Sequence, residues 1–173
     1  MPDRLPNLLG ALSLALADAQ TIAAREASGL SLSACAALMT LAQYPGETIR
    51  ALSQTLGLTH SVAVRLADDL VGRGLLTRGS GADKREVTLR LTKDGEAVQT
   101  RILEARTDVL RRALADLSST KRSALEGALS TMLQGLTEHR AQANHLCRLC
   151  DETACGFDAC PVEVRTRQLE QRA

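Results

Sequence analysis

The chain has 173 residues, 45% apolar and 24% charged, with a formal net charge of +1. That length can bury a core without metal or disulfides and the composition excludes a disordered chain, while the charge neither favours nor opposes a nucleic-acid partner. With one Phe, one Tyr and no Trp, the core falls to Leu, Ala and Val, which suits close-packed helices better than a β sandwich.

Leu5, Leu8, Leu9, Leu12, Leu16, Ala19, Ile22 and Ala23 recur at three- and four-residue steps. They predict a first helix over 5–27 whose apolar stripe needs a partner. Its strongly apolar part, Leu8 to Ala17, is too short to cross a bilayer, and Asp3 beside Arg4 gives no positive leader. A cytoplasmic protein with a buried first helix and no membrane contact is expected. After Ser28-Gly29, Ser31 or Ser33 caps a second helix that stops at Pro45-Gly46. Cys35, set among Ala and Leu, reads as a small buried apolar residue.

Thr48 caps a short helix bearing Ile49, Leu52 and Leu56, which ends at Gly57. Thr59 or Ser61 starts the next, with Val62, Leu66, Leu70 and Val71 inward and a stop at Gly74. Two helices joined by a tight glycine-containing turn are a helix-turn-helix. The period then changes: Val87, Leu89 and Leu91 alternate with Thr88 and Arg90, and glycines with Asp83 make the preceding turn, so a hairpin wing follows. Thr92 begins a long helix carrying Val98, Ile102, Leu103, Val109, Leu110, Ala113 and Leu114. Leu117-Ser118-Ser119 is a joint, and a last helix carries Leu125, Leu129, Met132, Leu133 and Leu136 toward His139.

The predicted fold class is mainly α with a small β wing, a winged helix-turn-helix over 47–91. Helices at 5–30 and 118–140 complete a domain of residues 1–140, and 141–173 form a cysteine-rich tail. The terminal helices are apolar beyond what a short winged-helix core can cover, which predicts dimerisation. From Thr48 to Leu91 seven Arg or Lys stand against four Asp or Glu, a local excess of three. No glycine-rich nucleotide loop is present, and His60, His139 and His145 form no catalytic arrangement, so no enzyme is expected.

Residues 52 to 95, LSQTLGLTHSVAVRLADDLVGRGLLTRGSGADKREVTLRLTKDG, resemble the multiple-antibiotic-resistance regulator (MarR) family. The resemblance is carried by Leu52-Ser53, Arg73-Gly74-Leu75, Asp83-Lys84-Arg85 and Leu91-Thr92-Lys93-Asp94-Gly95, in order and at family spacing; element order extends it over residues 5 to 140. It implies a cytoplasmic DNA-binding transcriptional regulator, expected as a repressor. The family form is a twofold homodimer, knitted by terminal helices, that reads a pseudo-palindromic operator in double-stranded DNA. It also implies a cleft for a small-molecule effector.

Major-groove readout places the start of a recognition helix against base edges. Here that surface is Thr59, His60, Ser61, Ala63, Val64 and Arg65, with Arg65 the strongest base or phosphate contact. Lys84 and Arg85 stand at the wing tip, where backbone and minor groove are in reach. Lys84 replaces the family's first wing Arg and keeps its charge. Asp69 replaces a second basic residue after Asp68 and weakens the helix electrostatically.

Cys147, Cys150, Cys155 and Cys160 follow C-x2-C-x4-C-x4-C, four of the chain's five cysteines. Four thiolates in a short segment suit structural zinc. The Cys160-Pro161 ending leaves an iron–sulfur cluster as the alternative cofactor. A thiol switch is a third reading, favoured by Arg148 and opposed by Asp151 and Glu152. The tail is thus a structural metal knob or a metal or redox sensor controlling DNA affinity. A protein-interaction module without DNA is the remaining alternative, against which Arg65 and Lys84-Arg85 stand.

Overall fold

The computed structural model describes residues 3–81 and 86–172. In chain order the elements are α1 (Arg4–Ser28), α2 (Leu32–Gln43), α3 (Ile49–Leu56), α4 (His60–Gly72), β1 (Leu76–Ser80), β2 (Val87–Leu91), α5 (Lys93–Ala113) and α6 (Ser119–Leu136). The tail adds α7 (Arg140–Cys147), α8 (Glu152–Cys155) and α9 (Pro161–Glu170). Helix starts are set by side-chain caps: Ser31 accepts from Ala34 N, Thr48 from Ala51 N, Thr92 from Gly95 N and Ser118 from Lys121 N. Each such cap contributes about 1 kcal/mol.

The core is built around α2, apolar on all sides and buried without interruption from Ala34 to Leu41. It packs on α1, α3, α5 and β2. Cys35 is in the core, its sulfur 3.4 Å from Ser28 Oγ. Leu52, Leu70, Leu76, Leu89 and Ile102 carry the same cluster into the helix-turn-helix, the wing base and α5. The turn between α3 and α4 is made at Gly57, at φ 66°.

The hairpin is antiparallel, with Leu76 opposite Leu91 and Ser80 opposite Val87. The chain before α3 adds to its free edge: Gly46 N donates to Leu89 O at 3.0 Å and Leu89 N to Glu47 O at 2.9 Å. Asp83, Lys84 and Arg85 at the wing tip lie outside the described residues.

Two of the sequence motifs meet at one junction. Thr92 Oγ1 donates to Gly74 O at 2.7 Å, and Thr92 N to Leu75 O at 3.1 Å. A Cβ on buried Gly95 would sit 2.1 Å from Leu75 O, so only glycine lets α5 start there. Arg-Gly-Leu and Leu-Thr-Lys-Asp-Gly are therefore two halves of the hinge between wing and α5.

One expectation changes. The first helix is not buried: α1 packs along α5, but only Ala24 is fully covered, while Leu5 is 71% and Leu14 69% exposed. α6 buries no residue and leaves Leu129, Met132 and Leu136 outside. The chain alone supplies no second surface for these stripes. The best 18-residue window of α1 has a mean hydropathy of 1.2, so length and apolarity alone do permit a membrane span, contrary to the shorter count over 8–17. Its packing along α5, and the bond from Arg106 Nη2 to Gln20 Oε1 at 2.8 Å, set it within the helical assembly instead.

Candidate nucleic-acid interface and cysteine pocket

The start of α4 projects from the helix-turn-helix. Thr59, His60, Ser61 and Arg65 are exposed there. Thr59 occupies the cap position without accepting a bond from the helix backbone; its hydroxyl lies 3.3 Å from that of Ser61. The first-turn N–H groups of α4 therefore lack the side-chain acceptor that α2, α3, α5 and α6 each have, an arrangement suited to an anionic partner.

Two residues of the expected reading surface are displaced from it. Ala63 is fully buried, as is Ala67 one turn on, and cannot touch DNA. Val64 is half-buried against the core. Conversely Val62, expected inward, is 38% exposed. Larger side chains at 63 or 67 would have to displace their packed neighbours, so the buried face of α4 runs through these small residues.

The acids on α4 are paired. Arg73 Nε lies 2.8 Å from Asp69 Oδ2, one turn back, and Arg78 on the wing strand pairs with Asp68. The local negative charge expected to weaken the helix is thus matched residue by residue. Arg65 has no ion-pair partner among the described residues.

The four tail cysteines line one cavity of about 50 Å³, shared with Thr40, Tyr44, Phe157 and Arg148. They come from the end of α7, the following turn, the end of α8 and the cap of α9. Among the described residues no three Cys, His, Asp or Glu side chains stand gathered as metal ligands. The thiols act on one another's ionisation, Cys150 and Cys160 on Cys147 and Cys160 and Cys150 on Cys155. The contact with Cys147 draws the Cys150 thiol below its ordinary range against the effect of burial, with Arg106 and Arg148 assisting. The same contact, with burial, pushes Cys147 up. Burial raises Cys155.

The pocket carries a charge and hydrogen-bond imbalance. Arg106 and Arg148 are both partly buried, burial depresses both guanidinium pKa values, and neither has a carboxylate partner among the described residues. The groups of opposite charge that face them are thiols: Cys150 for both, with Cys35 for Arg106. Thr40 Oγ1, on a residue 2% exposed that lines the cavity, finds no hydrogen-bond partner.

The backbone around the thiols is tied on three sides. His145 Nδ1 donates to Thr55 O in α3 at 2.9 Å, which fixes the proton on that nitrogen. Gln43 Nε2 of α2 donates to Cys150 O at 2.5 Å, and Arg106 Nη1 of α5 donates to Leu149 O. Tyr44 donates to Glu152, and burial with that bond raises its pKa. Behind the pocket, Arg140 Nη1 reaches Glu163 Oε2 at 2.5 Å and its Nε reaches Glu170 Oε1 at 2.9 Å. Arg167 joins Glu163 and Asp158, each at 3.0 Å, and lies 4.4 Å from the centre of the Phe157 ring. Arg140, then Arg167, hold the Glu163 carboxyl below its ordinary range against the opposing effect of burial. Sequence reasoning missed Arg106, Gln43 and Thr40, because nothing in their local spacing distinguishes them. The structure commits His145 Nδ1 to Thr55 and Asp151 to capping α8, where it accepts from Thr153 N at 3.0 Å.

A helix-turn-helix whose second helix projects outward, followed by a hairpin hinged on α5, defines a winged helix-turn-helix transcriptional regulator. The chain belongs to the MarR family: the model of that family matches residues 28–86. It is 30% identical over 116 residues to the transcriptional repressor MprA of Escherichia coli (strain K12), an alignment covering 65% of this chain and 66% of the repressor's length. A MarR family protein from Bacillus stearothermophilus is 25% identical with a TM-score of 0.67, covering 80% of this chain and 99% of that one. RV1404 from Mycobacterium tuberculosis shares the fold with a TM-score of 0.71 at 23% identity, over 80% of this chain and 96% of that one.

Proposed function

We propose that the chain is a cytoplasmic, homodimeric repressor that binds a pseudo-palindromic operator in double-stranded DNA with one α4 per half-site. The observation that carries this reading is the outward start of α4, where Thr59, His60, Ser61 and Arg65 form an exposed polar edge. Arg65 gives a fork of donors for guanine or phosphate, and the hydroxyls and His60 position it on the backbone. The wing, with Lys84 and Arg85, adds contacts beside the recognition helix. Dimerisation is supported by the apolar stripes of α1 and α6, both left open by the single chain. The cleft of about 430 Å³ between α2, α5 and residues 150–153 is the place for a small-molecule effector. Selection of duplexes from a random pool, with molecular mass by light scattering, tests the reading. The expected outcome is a two-half-site consensus bound by a dimer; a monomer that enriches no sequence contradicts it.

For the tail we propose a structural metal site, with zinc as the ion and an iron–sulfur cluster as the alternative. Four cysteines lining one cavity support it, since four thiolates are the donor set of a tetrahedral zinc site. Two half-buried arginines without carboxylate partners among the described residues complement the negative charge of a tetrathiolate centre. Metal analysis and an absorption spectrum of anaerobically purified protein decide it. One zinc per chain and no visible absorbance is expected; strong visible absorbance with iron and sulfide identifies the cluster.

A further inference from the structure

The cysteine segment is bonded to the helix-turn-helix and to the helices behind it. His145 holds it to Thr55, two residues before the Gly57 turn of the helix-turn-helix, and a Cβ on Gly57 would lie 3.4 Å from the His145 ring. Gln43 holds Cys150 O to the end of α2. Arg106 reaches from α5 to Leu149 O and, through its other nitrogen, to Gln20 on α1. Leu149 packs on the core between these ties. The C-x2-C turn, closed by Cys150 N donating to Cys147 O at 2.8 Å, is therefore a second connection, beside the α2 core, between the support helix α3 and the helices α1 and α5.

We propose that the tail is a metal-dependent latch: a thiophilic metal ion held by Cys147, Cys150, Cys155 and Cys160 fixes this turn, and the turn fixes the reading head on α1 and α5. The inference rests on the tail metal site proposed above. Two recognition helices of a dimer must meet successive major-groove faces about 34 Å apart. A head that swings on its dimer helices populates that spacing only part of the time, and apparent affinity falls by the competent fraction. Metal release takes away the ion that joins the four cysteines and leaves the desolvated Arg106 and Arg148 both facing Cys150 without it. The bonds from His145, Gln43 and Arg106 then fix a turn that is itself mobile. The signal is the availability of a soft divalent metal ion.

The test uses the full chain and a duplex selected with zinc-loaded protein. Operator affinity is measured by fluorescence anisotropy on zinc-loaded protein, on protein stripped with a chelator, and after zinc is restored, with dimer mass and helix content recorded for each. The latch predicts that stripping weakens binding at least tenfold with dimer and helix content unchanged, and that zinc restores it. A His145→Ala variant is expected to keep one zinc per chain, bind as weakly as stripped protein, and lose its response to metal. One zinc per chain with affinities within twofold in the loaded and stripped forms overturns the latch and leaves the metal site standing. Absence of stoichiometric metal after loading overturns both.

Discussion

The reading head and the cysteine tail are stabilised by different forces. The head is a continuous apolar cluster, from α2 through Leu52 and Leu70 to Leu89, with glycines at its turns and capped helices. The tail buries little beyond Ala143 and Val162, with Thr137 and Thr166 alongside, and is held by arginine–carboxylate pairs and bonds to backbone carbonyls. Hydrophobic packing is indifferent to pH and metal, whereas ion pairs and thiols respond to both. A regulator built this way keeps its reading surface constant and leaves the adjustable chemistry at the edge.

The comparison breaks most visibly in the core. Leu70→Ala removes a fully buried side chain between α4 and the rest of the cluster. A loss of about 2–5 kcal/mol is expected in urea unfolding. A loss below that range would mean that α4 is not bound to the head as described. Gly95→Ala is next: its methyl meets Leu75 O, and a cost of about 1–3 kcal/mol is expected. Gly127→Ala in α6, where a Cβ meets nothing within 4 Å, serves as the neutral or stabilising control.

In the tail the effects are smaller. Arg140→Ala removes pairs to Glu163 and Glu170 that solvent screens in part, so only a small loss is expected from global unfolding. Its stronger readout is faster proteolysis or hydrogen exchange confined to α9. Acid gives the same contrast. Glu163 and Glu170 are both lowered, chiefly by Arg140. The stabilisation they contribute is complete above the unfolded glutamate value, about 4.3, and disappears as pH falls through the lower folded values. Hydrogen exchange at decreasing pH is expected to release α9 before the α2 core; simultaneous release would remove the distinction between the two regions.

The head was legible because its signals are local. Ser31, Thr48 and Thr92 cap where their hydroxyls and neighbours predict, Gly57 takes the left-handed turn, and the alternation at 87–91 becomes β2. The rotation of α4 was not legible. Valine outranks alanine in apolarity, yet Ala63 is inside and Val62 outside. α9 went unread although Pro161 at its first turn, Glu163 early and Arg167 late are ordinary helix signals. The ties from Arg106 and Gln43 to the tail join residues 43 and 107 positions apart, a relation that no spacing rule contains.

The central claim, that α4 reads DNA through Arg65, is tested most directly by anisotropy titrations of a selected duplex at several salt concentrations, with wild type beside Arg65→Ala. The account predicts binding that weakens steeply with salt. The variant is expected to lose about 1–3 kcal/mol of affinity, with a shallower salt dependence if the guanidinium engages phosphate. Superimposable isotherms for the two proteins at every salt concentration would contradict it.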